Sequence, residues 1–170
     1  MKVIQEMVFL REIVLQVKIA RRAAERLQTT SDTFDHVEVW SSIQSILVSA
    51  ANVSKILWPV KKQNKLRGEK LRQQLKVDKT NILSDRKFRN YFEHYDDEIE
   101  DWFNKHPSPV YIDLVMNPSL RGYLASSCHR GYNSFNNTLI FRGESLDLNE
   151  VLKALDEIFN NCKPYVLTKF

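Results

Sequence analysis

Little in this sequence lets a chain turn sharply: 170 residues include only four glycines and five prolines. A fold of many short strands and tight turns needs more of both, so long helices are expected. Two cysteines, Cys128 and Cys162, are too few for a disulfide framework and lack metal-ligand spacing. They read as free thiols in a reducing compartment. No uncharged apolar run reaches the roughly twenty residues that a membrane span requires. Lys2, Glu6, Arg11, Glu12 and Lys18 interrupt even the apolar N-terminus, which argues against a secretory signal. A cytoplasmic protein with no membrane partner is the expectation. Also missing are a glycine-rich phosphate loop, a zinc-ligand pattern and a Gly-x-Ser-x-Gly elbow. Several metal-, nucleotide- and serine-based chemistries thereby lose their usual signatures, and no cofactor or metal is expected.

What is present is helical periodicity. Val3, Met7, Leu10, Val14, Val17, Ala20, Ala24 and Leu27 recur at three- and four-residue steps, which predicts a long amphipathic helix from about Val3 to Leu27. The polar run from Thr29 to Thr33 ends it and offers N-caps for a second helix, from about Phe34 to Trp58. Pro59 closes that helix, because the residue before a proline is pushed out of the helical region. A short helix is expected from Gly68 to Leu75 and a third long one from Asn81 to about Lys105, stopped by His106-Pro107-Ser108-Pro109. Phe88, Tyr91, Phe92, Tyr95, Ile99, Trp102 and Phe103 share one face of that third helix and are expected in the core. From Pro109 to Gly143 the helical period vanishes. Val110-Tyr111-Ile112, Gly122-Tyr123-Leu124-Ala125 and Thr138-Leu139-Ile140-Phe141 look like strands, the last two forming a hairpin around 133–137. A closing helix runs from about Leu148 to Phe159. The expectation is a mainly α single domain over 1–170: about four long helices, with a short β-hairpin-like insert at about 109–143 before the last.

Charge is distributed unevenly. The net charge of +4 is only mildly basic, yet seven bases (Lys61, Lys62, Lys65, Arg67, Lys70, Arg72 and Lys76) face one acid, Glu69, in one short segment. Such a segment is a candidate footprint for a phosphate backbone; its bland alternative is a solvated linker and helix. Between Glu93 and Asp101 stand six acids with no Lys or Arg. These carboxylates fan around one helix, so a solvated face is expected rather than a cation site.

The chemistry-bearing candidates are Arg89, Asn90 and His94 in the third helix. Arg89 keeps its charge at any physiological pH, while a histidine can exchange a proton near neutrality. Together they could stabilise a phosphoryl transition state and move the proton that RNA cleavage requires. Five residues at about 100° each place the two side chains about 140° apart. They converge on one phosphate most readily if a second copy brings its own pair across a two-fold axis. A functional pair therefore predicts a homodimer with this helix at the interface. The competing reading makes both surface groups, paired with Glu93 and Glu98 at i+4. His36, His106 and His129 read as structural or surface groups.

Arg89-Asn90-x-x-x-His94 in the third helix of a helical domain resembles the motif of the HEPN superfamily: an Arg, four to six residues, then a His, with a polar residue after the Arg. The resemblance covers about Val3 to Lys105 and the closing helix. It implies a metal-independent endoribonuclease that dimerises to build a composite site, in a toxin–antitoxin or phage-defence setting with a cognate antitoxin as a possible partner. His94 would be the general base or acid, Arg89 the transition-state cation and Asn90 the orienting group. Products would carry 2′,3′-cyclic phosphate and 5′-hydroxyl ends. Lys61, Lys62, Lys65, Arg67, Lys70 and Arg72 are the expected RNA contacts. The alternative is a catalytically inactive HEPN-like module that binds a nucleotide, RNA or protein. Toxins of the superfamily that are silenced by nucleotidyl transfer carry a tyrosine two positions after the His; here that position is Asp96, so such modification is not implied.

Overall fold

A computed structural model describes residues 3–30, 35–105, 111–120, 122 and 128–166. These residues are mainly helical, with a small four-stranded sheet before the last helix. Six α-helices are found among them: α1 (Val3–Thr30), α2 (His36–Leu57), α3 (Lys65–Gln74), α4 (Lys87–Glu93), α5 (Tyr95–Lys105) and α6 (Leu148–Cys162). The sequence reads as one domain; the contacts gather into two compact units, 1–86 with 151–170, and 87–150.

In the first unit α1 and α2 pack along their length. Arg26 pairs with Glu38 near one end, and Asn52 donates to Gln16 nearer the other, so the two run antiparallel. Leu10, Ile13, Val17 and Ala20 on α1 and Val39, Ile43, Ile46 and Val53 on α2 are all fully buried. The expected stripe on α1 is displaced at its start: Val3 and Met7 are exposed, while Ile13 and Ala23 are buried. The N-cap of α2 is Asp35, whose carboxylate accepts from the Glu38 amide; residues 31–34 lie outside the described residues.

The C-terminus of α2 explains much of the basic segment. Pro59 ends the helix as expected, leaving its last carbonyls without helical partners. Three arginines supply them. Arg67 donates to Lys55 O and Ile56 O, Arg72 to Leu57 O, and Arg86 to Trp58 O. Their positive charge also opposes the negative end of the helix dipole. Gly68 lets α3 come this close: a Cβ there would stand 2.5 Å from Pro59 Cδ and 2.6 Å from Leu57 O. After α3, Lys76 adopts a left-handed conformation (φ 52°). Its amide donates to Gln73 O and that of Val77 to Arg72 O, the Schellman closure that glycine usually makes.

The second unit contains α4, α5 and a sheet of order β1-β2-β3-β4: β1 (Val115–Met116), β2 (Arg130–Asn133), β3 (Thr138–Phe141) and β4 (Glu144–Asp147). β1 is parallel to β2; the remaining neighbours are antiparallel. The hairpin expected around 133–137 is present, and Thr138–Phe141 is its second strand. Its first strand is β2 rather than the segment from Gly122 to Ala125, because Tyr132 and Gly131 pair with Leu139 and Ile140. Gly122 sits in a turn (φ 71°) and 123–127 lie outside the described residues. Of the Val110–Ile112 strand, only an isolated bridge from Ile112 to Cys128 is found, Val110 lying outside the described residues. Arg142 and Gly143 turn β3 into β4 with positive φ at both positions (48° and 88°), as a two-residue hairpin loop requires.

The single helix expected from Asn81 to Lys105 is three pieces: a 3₁₀ turn at Ile82–Ser84, then α4, then α5. Asn81 caps the first piece by accepting from the Leu83 amide. The α4–α5 junction falls at His94 without any proline or glycine. Asp96, Asp97 and Glu98 stand in the first turn of α5, where carboxylates favour a new helix start. The aromatic face is also less buried than its periodicity implies. Trp102 is buried, but Phe88, Tyr91, Phe92 and Ile99 are only partly so, and Tyr95 and Phe103 are 52% and 50% exposed.

Candidate functional site

Arg89 and Asn90 lie on α4, and His94 forms the junction to α5. The helical hydrogen bonds continue on either side of this residue: its amide donates to Asn90 O at 2.9 Å and its carbonyl accepts from the Glu98 amide at 3.2 Å. The His94 ring projects from an exposed position. Asn90 takes hold of Arg89, with Oδ1 accepting from Nη2 at 2.8 Å and from Nε at 3.2 Å. Glu93 Oε2 stands 3.6 Å from Nε of the same guanidinium. The Arg89 side chain is only 15% exposed, and its Nη1 is buried with no hydrogen-bond partner among the described residues.

This arrangement gives three groups within two turns of chain, each with a defined condition. Arg89 is aimed by Asn90, and its charge is shared with Glu93. One guanidinium nitrogen keeps unused donor capacity. His94 is exposed to solvent. Of the two i+4 pairs that the surface reading expects, Arg89 with Glu93 is formed. For Glu98 the side-chain partner is Arg142 at 2.5 Å.

Arg142 was not among the residues expected at the site, yet it compensates much of the acid run here. Its guanidinium binds Glu98 and also Asp101 at 3.1 Å, and Lys105 neutralises Asp101 from the other side at 2.7 Å. These contacts hold the Asp101 carboxyl below its ordinary pKa, the Lys105 hydrogen bond being the largest cause. The acid run is therefore half-compensated within its own unit. No group of three or more His, Cys, Asp or Glu side chains suited to a metal is found among the described residues. The one signal for Arg142 lay in the Arg-Gly turn that follows a strand-like run.

Other contacts of this unit support the α4 helix. Tyr91 stacks on Phe141 with centroids 4.2 Å apart and donates to Glu144, which also pairs with Lys87. Burial raises the Tyr91 phenol pKa. His129 is fully buried among Trp102, Tyr111 and Phe141, and neither ring nitrogen has a hydrogen-bond partner among the described residues. Burial holds its pKa down to about 4, with Asp113 opposing and Arg130 and Arg142 reinforcing the shift. It belongs to the core, as expected; His36 is exposed and His106 lies outside the described residues.

The basic segment separates into two kinds of side chain. Lys61, Lys62, Lys65 and Lys70 are exposed. Arg67 and Arg72 close the end of α2, and they pack on the Phe9 and Trp58 rings at 4.4 and 5.5 Å. Partial burial lowers the Arg67 pKa. Among the six expected RNA contacts, the four lysines are thus the ones presented to solvent.

No family model matches the chain, and neither does any curated protein or solved structure.

Proposed function

We propose that the chain is a metal-independent endoribonuclease of the HEPN kind, acting as a homodimer through the helix pair that carries Arg89 and His94. The observation that carries this reading is the Arg89–Asn90 fork followed one turn later by an exposed His94. A histidine in water exchanges protons freely, while a guanidinium aimed by a neighbouring amide suits the equatorial oxygens of a pentacoordinate phosphate. In the reaction His94 of one copy takes the proton of a ribose 2′-hydroxyl as its oxygen attacks phosphorus. The P–O5′ bond breaks, and the departing O5′ receives a proton from the second histidine. A 2′,3′-cyclic phosphate and a 5′-hydroxyl result. Histidine proton transfer of this kind contributes about 10²- to 10⁴-fold. Lys61, Lys62, Lys65 and Lys70 would supply sequence-independent affinity for the phosphate backbone. A toxin–antitoxin or phage-defence setting, with a cognate antitoxin, fits such an activity.

Cleavage of transfer and messenger RNA in excess EDTA tests the proposal. Wild type should cut and leave cyclic phosphate ends; Arg89→Ala and His94→Ala should each lose at least about a hundredfold in rate while keeping fold and dimer. Equal cleavage by all three proteins would place the activity elsewhere and end this reading.

One observation favours a second reading. Glu93 shares the charge of Arg89 at 3.6 Å, which suits a catalytically inactive module binding a nucleotide, RNA or protein. In that case no variant cleaves, and RNA affinity survives His94→Ala but falls with salt and with charge reversal at the four lysines.

A further inference from the structure

The outer face of α1 carries apolar side chains that its own unit does not cover. Ile4, Val8, Leu15 and Ile19 are 77%, 59%, 50% and 40% exposed. Val8, Leu15 and Ile19 border a groove of about 520 Å³ whose lining among the described residues lies on this helix and includes Arg11 and Glu12. Scattered exposed aliphatics are ordinary, but a continuous stripe on one helix face marks a contact surface.

The order of residues along the stripe identifies its occupant. Ile4-Val8-Glu12 and Arg11-Leu15-Ile19 are two neighbouring rows at i, i+4 steps, the ridges that interdigitate when helices cross. A two-fold axis through the midpoint of Arg11 and Glu12 exchanges one row for the other. In an antiparallel pair it sets Ile4 against the partner's Ile19, Val8 against the partner's Leu15, and Arg11 against the partner's Glu12. Each contact occurs twice, as an isologous interface demands. Lys18 falls opposite the partner's Gln5. A parallel pair would instead set Arg11 on Arg11 and Glu12 on Glu12. The Gln16 amide donates to Glu12 Oε1 at 2.7 Å, which holds that carboxylate in place.

We infer that α1 docks antiparallel on α1 of a second copy through this stripe. The surface is distinct from the Arg89/His94 helix and does not depend on nuclease activity. The segment from Ile4 to Ile19 spans about 22 Å at 1.5 Å per residue. It would bury on the order of 1,000 Å² in total, the lower edge of specific interfaces, so association should depend on concentration.

Light scattering and sedimentation across a dilution series test this. The wild-type mass should rise with concentration, and Leu15→Glu should halve its upper value while circular dichroism keeps the full helix signal. Arg11→Glu alone and Glu12→Arg alone should each weaken association about tenfold; the double variant, R11E/E12R, should restore it, because the swapped charges meet again across the axis. A mass that ignores concentration, a mass unchanged by Leu15→Glu, or a double variant no better than the single ones would overturn the inference and leave the groove to a different occupant. RNA cleavage by wild type and His94→Ala, measured on the same preparations, reports separately on the proposed nuclease.

Discussion

The unit formed by 1–86 and 151–170 is held by aliphatic side chains repeating along helices, such as Leu10, Ile13 and Val17 on α1 and Ile43 and Ile46 on α2. The unit formed by 87–150 is held differently. Its centre is a set of rings, Trp102, Tyr111, His129 and Phe141, bounded by two arginine–carboxylate clusters. Arg130 forks onto Asp113 at 2.9 and 2.6 Å, and that hydrogen-bonded pairing raises its own pKa. Arg142 gathers Glu98 and Asp101. Aliphatic packing is non-directional and indifferent to pH, whereas rings and ion pairs need particular partners in particular charge states. The two units should therefore fail under different stresses.

The largest effect is expected at Gly68. An alanine Cβ would collide with the Pro59 ring and the Leu57 carbonyl, so Gly68→Ala should cost about 3 kcal/mol. Denaturant unfolding followed by amide exchange should locate that loss in the first unit; an unchanged midpoint would mean α3 seats itself otherwise.

Acid should separate the units next. The folded-state pKa of His129, about 4, lies below its ordinary 6.5, so the unfolded chain takes up the proton first. The stabilisation is complete above pH 6.5 and is lost as pH falls toward 4, by about 3 kcal/mol. Amide exchange at pH 4.5 should rise in the second unit much more than in the first. His129→Leu should flatten that dependence and, by removing two buried ring nitrogens without partners among the described residues, should not destabilise at neutral pH. A slope that persists in the variant would point to the carboxylates instead.

Arg142→Met removes the shared partner of Glu98 and Asp101 but keeps the side-chain stem. A loss of about 2 kcal/mol is expected in the second unit, read as a lower melting temperature with intact first-unit exchange. A loss in both units alike would mean that they do not differ in what holds them.

The smallest effect is a gain. Lys76→Gly relieves a left-handed lysine at the end of α3 (φ 52°) and should stabilise the first unit by up to about 1 kcal/mol. A decrease would show that the lysine side chain contributes more than its backbone conformation costs.

Much of the first unit was legible in the chain. The periods of α1, α2 and α6 and the stop at Pro59 fall where local rules place them, within a few residues. Reading the second unit the same way misplaced more. Seven aromatic and aliphatic residues at helical spacing implied one buried face, yet the segment breaks at His94, and Tyr95 and Phe103 face water. Periodicity tells which residues share a face of a continuous helix; it cannot show that three carboxylates in succession start a new one. The strand pairing of β2 with β3 was half visible, because Thr138–Phe141 is β-branched and aromatic while Arg130–Asn133 carries no such pattern. In the candidate site, the positions of Arg89, Asn90 and His94 followed from their spacing. The grip of Asn90 and Glu93 on Arg89 and the compensation of the acid run by Arg142 did not.

By itself, the sequence determined the long helices of the first unit and the stop at Pro59, since each depends on neighbours within a few residues. Only the tertiary structure decided that Arg67, Arg72 and Arg86 close the end of α2 while the lysines beside them remain in water. It alone decided that Arg142 takes the charge of Glu98 and Asp101. Those roles depend on carbonyls and carboxylates 11 to 44 residues away, and no local pattern records which of many equivalent cations will reach them.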